Sequence, residues 1–282
     1  MDLVIRVPRF PVAGETLAGG DLELHAGGKG ANQACAAAKL GGAVLFIGCV
    51  GRDAFGERLT ASLRDAGVHT GHLRKADRAT GCASIYVTAE GQNSIVISPG
   101  ANADVSAADV QIALADLTCD DLVLLQLEIP LETVRSALEA AKAVGATAIL
   151  DPAPAQKLSA DLLRLVSILT PNETEAGVLE ERGAGTVILK LGASGCQIHE
   201  GSGNIKVRGF SVDAVDTTAA GDVFNGALAV GLAEGLTMAA AARFANAAAA
   251  ISVTRAGAQT SIPARAEVDA FLHSHDGKTE CS

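Results

Sequence analysis

LVLLQLEIPLETVRSALEAAKAVGATAIL, residues 122–150, decides the fold class. Residues 122–127 are almost wholly apolar, the pattern of a strand buried on both faces. Residues 131–144 carry a helical pattern, and 147–150 return to an apolar run of strand length. Strand, helix, strand in so short a span predicts a βαβ unit with parallel pairing.

The alternation continues outward. Downstream the sequence predicts a helix at 160–166, short strands at 168–169 and 186–191, strands near 196–199 and 206–208, and two long helices towards the C-terminus. Upstream it predicts a helix at 107–117, a buried parallel strand at 43–50, a helix at 55–66 ended by Gly67, and an Ala-rich helix running from the glycines at 27–30 to about Leu40. This is an α/β fold with a mainly parallel central sheet flanked by helices. A strand at 3–7, a looser alternation at 17–25 and a hairpin pattern at 82–88 and 93–98 stand apart. They predict a small β lid, from about 2–26 and 80–99, on a single domain spanning 1–282.

Composition narrows the function. The chain has 282 residues, is 49% hydrophobic and 3% aromatic, holds 31 glycines and carries a formal charge of −10. Such an Ala-rich chain folds around a core. Its acidity argues against a general nucleic-acid or anionic-membrane binder. Six cysteines without C-x-x-C spacing argue against a thiol metal site, and no stretch approaches the roughly 18 apolar residues of a membrane span. A soluble, cytoplasmic protein from a reducing compartment is expected.

In a parallel sheet, ligands bind beyond the carboxyl ends of the strands. Polar residues after apolar runs therefore mark the site: Glu128, Asp151, Asn172, Glu175 and the turn Gly192, Ala193, Ser194, Gly195. The stretch DAVDTTAAGDVFNG, residues 213–226, sets two acids and a small-residue turn before an apolar helix. Gly221 is free to take a positive φ, and Asp222 suits the cap of a helix at 223–234. The free amides of such a helix end make an anion site, and an acid beside it can take a proton from a hydroxyl. A plain cap and turn fits the same residues. Neither the Walker A loop nor the dinucleotide fingerprint is present: Gly28-Lys29 is followed by Gly30, and Ala31-Asn32-Gln33 breaks the glycine spacing.

Seven motifs together are more specific. They are AGGKGANQA (26–34), QLEIP (126–130), DPAPA (151–155), TPNETEA (170–176), LKLGASG (189–195), VDTTAAGDVFNGAL (215–228) and RFANAAAAISVTRAGAQTSIP (243–263). On them the chain resembles the phosphofructokinase B-type, or ribokinase-like, sugar kinase family along nearly its whole length. The resemblance implies an ATP-dependent kinase that transfers the γ-phosphoryl group to a sugar's terminal hydroxyl, with D-ribose giving ribose 5-phosphate as the leading case. Another sugar, a nucleoside, or a non-catalytic sugar- or nucleotide-binding role are the alternatives.

Residue by residue, it makes Asp222 the base and the amides of Ala219, Ala220, Gly221 and Asp222 an anion hole. Asp2, Gly28, Lys29, Gly30, Ala31, Asn32 and Glu128 would hold the sugar. Asn172, Lys190, Leu191, Gly192, Ala193, Ser194, Gly195 and Asn246 would contact ATP. Glu175 would help place Mg²⁺. Asp216, Thr218, Ser252, Arg255, Gly257 and Ser261 would supply oxygens to K⁺. The lid would exclude water and join two subunits in a homodimer.

Two departures from the family pattern stand out. The chain starts at Met1-Asp2, where the family has a buried strand and a G-x-x-N-x-D turn, which predicts exposed edges in the central sheet. Residues 176–185 are shorter than the family's equivalent by roughly a helix.

Overall fold

The computed structural model describes residues 1–179 and 183–276. The middle of the short 176–185 segment, and Cys281 among the six cysteines, lie outside the described residues. The other five cysteines are free thiols.

In chain order the elements are β1 (Asp2–Arg6), β2 (Leu22–His25), α1 (Lys29–Lys39), β3 (Leu45–Gly51), α2 (Ala54–Asp65), β4 (His69–Ala76), β5 (Cys82–Val87) and β6 (Asn93–Ser98). After them come α3 (Ala107–Ala113), β7 (Leu122–Leu125), α4 (Leu131–Val144), β8 (Thr147–Leu150), α5 (Ala160–Leu163), β9 (Ile168–Leu169), α6 (Glu173–Val178) and β10 (Thr186–Lys190). The chain continues through β11 (Gly195–Glu200), β12 (Gly203–Arg208), α7 (Ala220–Ala233), α8 (Met238–Ser252) and α9 (Arg265–Asp276).

The unit predicted from 122–150 is present, with α4 at the expected bounds and β7 pairing parallel to β8, Leu122 opposite Thr147. Gly145 ends α4 in the left-handed conformation at φ 78°. From β7 the sheet runs β8, β9, β10, β11, β12; the last two strands add antiparallel and the rest are parallel. Several elements are shorter than expected. The helix predicted at 107–117 stops at Ala113, that at 160–166 stops at Leu163, and the strand at 122–127 ends at Leu125.

The predicted 43–50 strand begins at Leu45, and its parallel neighbour is β4, which the sequence reading did not anticipate. HTGHLRKA carries too many polar residues to signal a strand; it forms one because β3 supplies the ladder. Among the described residues this pair is a separate two-stranded sheet. A cavity of about 720 Å³ lies between it and β7, lined by residues 43–50 and 121–126. Consecutive residues of a strand can all face one space only where the hydrogen-bonding edge meets it, because successive side chains point to opposite faces. Among the described residues β3 and β7 each have one unpaired edge.

The lid is a four-stranded sheet ordered β2, β1, β5, β6, drawn from both predicted segments. β1 pairs parallel with β5; the other two pairings are antiparallel. All of β6 is exposed, including Ile95, Val96 and Ile97.

The main core joins α1, α7 and α8 to the sheet through small side chains, with Ala36, Ala227, Ala241, Ala245, Ala247 and Ala248 fully buried. A Cβ on Gly226 would come within 2.6 Å of the Gln33 carbonyl oxygen and 2.7 Å of the Ala36 Cβ, so α7 and α1 touch backbone to backbone there. That close approach brings the start of α7 against residues 29–33.

Candidate active site

α7 starts at Ala220, earlier than expected, and two details of the sequence reading are corrected. Asp222 is not the cap: it sits inside the first turn, and Ala219 occupies the cap position. The positive φ belongs to Ala219, at 59°, and not to Gly221. Ala219, Ala220 and Gly221 line the cleft at the head of α7, where a helix leaves its first amides without intrahelical partners. Of these, the Ala220 N–H meets the Thr217 carbonyl at 3.3 Å.

Asp222 is 5% exposed. Its Oδ2 accepts the Asn32 amide N–H at 2.9 Å and its Oδ1 accepts the Gln33 amide N–H at 3.0 Å. Burial pushes the carboxyl up to about 6, against the opposing pull of the Lys29 charge and of these two amides. Each carboxylate oxygen has two lone pairs, so the group keeps capacity to take a proton. A buried acid poised near neutrality suits a general base.

Lys29 begins α1 and its ammonium is held in the cleft. Burial works to lower its pKa, but Asp222, Asp151, Glu128 and Glu175 together hold it above the ordinary lysine value. Glu128, beyond the end of β7, accepts the backbone N–H of Lys29 at 2.9 Å. Burial raises its pKa, and the same applies to Asp2 at the start of the lid. Gly28, at φ 93°, makes the turn that presents Lys29. Gly30 faces Gln126, whose Oε1 lies 2.9 Å from where a Cβ would stand.

Across the cleft, Lys190 at the end of β10 donates to Asp151 Oδ1 at 2.8 Å, with side-chain exposures of 12% and 2%. Asn172 and Glu175 form a capping box on α6: the Asn172 N–H and Nδ2 donate to the two Glu175 oxygens, and the Glu175 N–H donates back to Asn172 Oδ1. Lys29, Asp151, Asn172, Glu175, Lys190, Gly192, Thr217, Ala219, Ala220, Gly221 and Asp222 thus line one cavity of about 440 Å³. Two ammonium groups and a helix amide end in one cleft are suited to a polyanion.

Gly192, Ala193 and Ser194 form a single turn after β10, and Gly195 leaves it at φ 91°. The Asn246 amide is spent on the carbonyls of Val207 and Arg208, tying α8 to β12. Gly28, Gly30, Ala31 and Glu128 line the larger cavity beside β3 and β7.

Both Glu175 oxygens are engaged by Asn172, and no three His, Cys, Asp or Glu side chains converge among the described residues. That fits a Mg²⁺ ion carried by phosphates with its waters, as this ion prefers. Asp216 bridges two loops, accepting the Thr218 N–H at 2.9 Å and the Gly257 N–H at 2.8 Å. Residues 216–218 and 252–261 are therefore neighbours, as a cation site built from their oxygens needs; the Arg255 guanidinium turns away to Glu267.

Asn32, expected to hold a sugar, and Gln33, which carries no expected role, both place their amides on Asp222. Gln33 lay hidden because its partners stand 118 and 189 residues away.

A family model described as pfkB family carbohydrate kinase matches residues 1–265. A curated protein named ribokinase from Haemophilus influenzae is 43% identical over 290 residues, covering 96% of this chain and 95% of its own. A crystal structure of ribokinase from Thermotoga maritima superposes with a TM-score of 0.86 at 40% identity, covering 96% of each chain. A structure of Arabidopsis thaliana ribokinase complexed with ribose and ATP gives 0.85 at 34% identity, covering 96% of this chain and 95% of its own.

Proposed function

This chain belongs to the pfkB family of carbohydrate kinases, and from that premise we propose that it transfers the γ-phosphoryl group of ATP to the terminal hydroxyl of D-ribose, giving ribose 5-phosphate. The observation that carries the chemistry is the buried Asp222, poised at about 6 between the amide end of α7 and the Lys29 ammonium.

Asp222 takes the proton of the sugar hydroxyl as its oxygen attacks the γ-phosphorus in line with the departing ADP. The amides of Ala219, Ala220, Gly221 and Asp222 face the charge that develops on the transferred group. Lys29 and Lys190 offset the charge of the phosphates, and Asn172 and the 190–195 turn hold the nucleotide. Asp2, residues 28–32 and Glu128 hold the sugar hydroxyls. Mg²⁺ would arrive with ATP near Glu175, and K⁺ would lie among the oxygens of Asp216, Thr218, Ser252, Arg255, Gly257 and Ser261, fixing the loop before α7.

The lid excludes water that would otherwise accept the phosphoryl group. The exposed β6, with three large apolar side chains on a free edge, supports a homodimer joined lid to lid. We place the enzyme in the cytoplasm as a single domain. The test is ADP release with D-ribose and a panel of other sugars, with and without K⁺. The proposal requires D-ribose to give the highest kcat/KM and K⁺ to raise it; a higher value with another sugar reassigns the substrate, and no turnover with any removes the kinase reading.

A further inference from the structure

Gln33, on α1, is fully buried beside the base, and the transfer reaction as described gives it no part. Its Nε2 donates to Asp222 Oδ1 and to Asp151 Oδ2, at 3.0 Å each. An amide nitrogen carries two hydrogens, so the two carboxylates use both. Carboxylates only accept, which fixes the end of the amide that faces them; the other end, Oε1, accepts from Gln126 Nε2 at 2.5 Å. The far oxygen of Asp151 takes Lys190 and the far oxygen of Asp222 takes Asn32. Asn32 is held in turn by Gln259, and Gln259 by Ser62. A line of hydrogen bonds therefore runs from Lys190 at the phosphate cleft, through Asp151 and Gln33, to Asp222.

We infer that Gln33 is a positioning residue for phosphoryl transfer: one nitrogen ties Asp222 to Asp151, setting the direction of the lone pairs that receive the hydroxyl proton. Neighbouring residues on a helix project about 100° apart, so Asn32 and Gln33 reach the same carboxylate from different sides and leave it no free rotation. The charged groups facing Asp222 are Lys29 from α1 and Asp151 beside Lys190 from the sheet. The two acids repel, and the shared donor stabilises both charges at a fixed separation. The inference rests on Asp222 being the base.

Gln33→Met keeps the volume and removes both bonds. The expected result is a fall in kcat of about tenfold to a hundredfold with KM for ribose and ATP changed about twofold or less. The acid limb of the rate profile moves up from about 6, because a donor to the charged form is lost. An unchanged kcat and acid limb, or a change confined to KM, overturns the inference. Asp222→Asn, assayed in parallel, separates the two readings. If it still turns over within about tenfold of the parent, the base assignment fails and this inference with it. If it is inactive while Gln33→Met behaves as the parent, only the positioning role fails. Should Gln33→Met unfold, Gln126→Met frees the amide from its far side, and a smaller fall in kcat with KM unchanged is required.

Discussion

The side chain of Glu128 accepts the backbone N–H of Lys29 at 2.9 Å, across 99 residues of sequence. This bond joins the end of β7 to the first residue of α1, so the acid expected to hold a sugar also anchors the helix that carries Lys29 and Asn32. Glu128→Ala should therefore raise the KM for ribose and also lower stability, by about 1.5–3 kcal/mol for a bond to a charged acceptor. Steady-state kinetics and urea melts check the two halves; a change in KM without any loss of stability would separate them.

Asp222→Asn keeps the shape and removes the base. Turnover should fall about a hundredfold to ten-thousandfold, the range for a lost general base. Ribose affinity by calorimetry should be little changed. Equal losses in binding and turnover would count against the assignment.

The rate should depend on pH through Asp222, whose carboxyl burial pushes up to about 6. A base must be unprotonated, so kcat/KM is level above that value and falls about tenfold per pH unit below it. Stability moves the other way. Between the ordinary value of 3.8 and about 6 the folded protein holds a proton that the unfolded chain has released. This group's contribution is therefore fully present below 3.8 and is lost as pH rises through about 6. A profile with its acid limb near 4 would show that the carboxylate is better solvated than its 5% exposure implies.

Lys190→Met leaves Asp151 buried with the Gln33 amide as its remaining hydrogen-bond donor among the described residues. Removing one member of a buried pair costs about 3 kcal/mol or more, and the variant should also show a raised KM for ATP. Asp151→Asn in the same background should recover part of the stability, because the uncompensated charge is gone, and none of the ATP affinity. Recovery of both would mean that Lys190 serves only Asp151.

The sequence displayed the parallel sheet and α4 because those segments carry their own periodicity and stops: LVLL is apolar throughout, and Gly145 closes the helix. The pair Asn172 and Glu175 was legible because it follows the apolar pair Ile168-Leu169, whereas α6 and the capping box that opens it were not. β4 was not, because HTGHLRKA becomes a strand only beside β3. Gln33 was not, because a polar residue in an Ala-rich helix shows its purpose only through distant partners. The start of α7 was misplaced because nothing in Ala-Ala-Gly says that the first alanine, not the glycine, takes the left-handed turn.

That turn has a thermal consequence. Holding an alanine at φ 59° costs about 1–2 kcal/mol, and the cost falls once, when the chain folds, instead of at every catalytic cycle. Ala219→Gly should raise the melting temperature or leave it unchanged while slowing turnover. An Eyring plot should assign the slowing to a more negative activation entropy, because a looser turn must be ordered anew each time a phosphoryl group crosses.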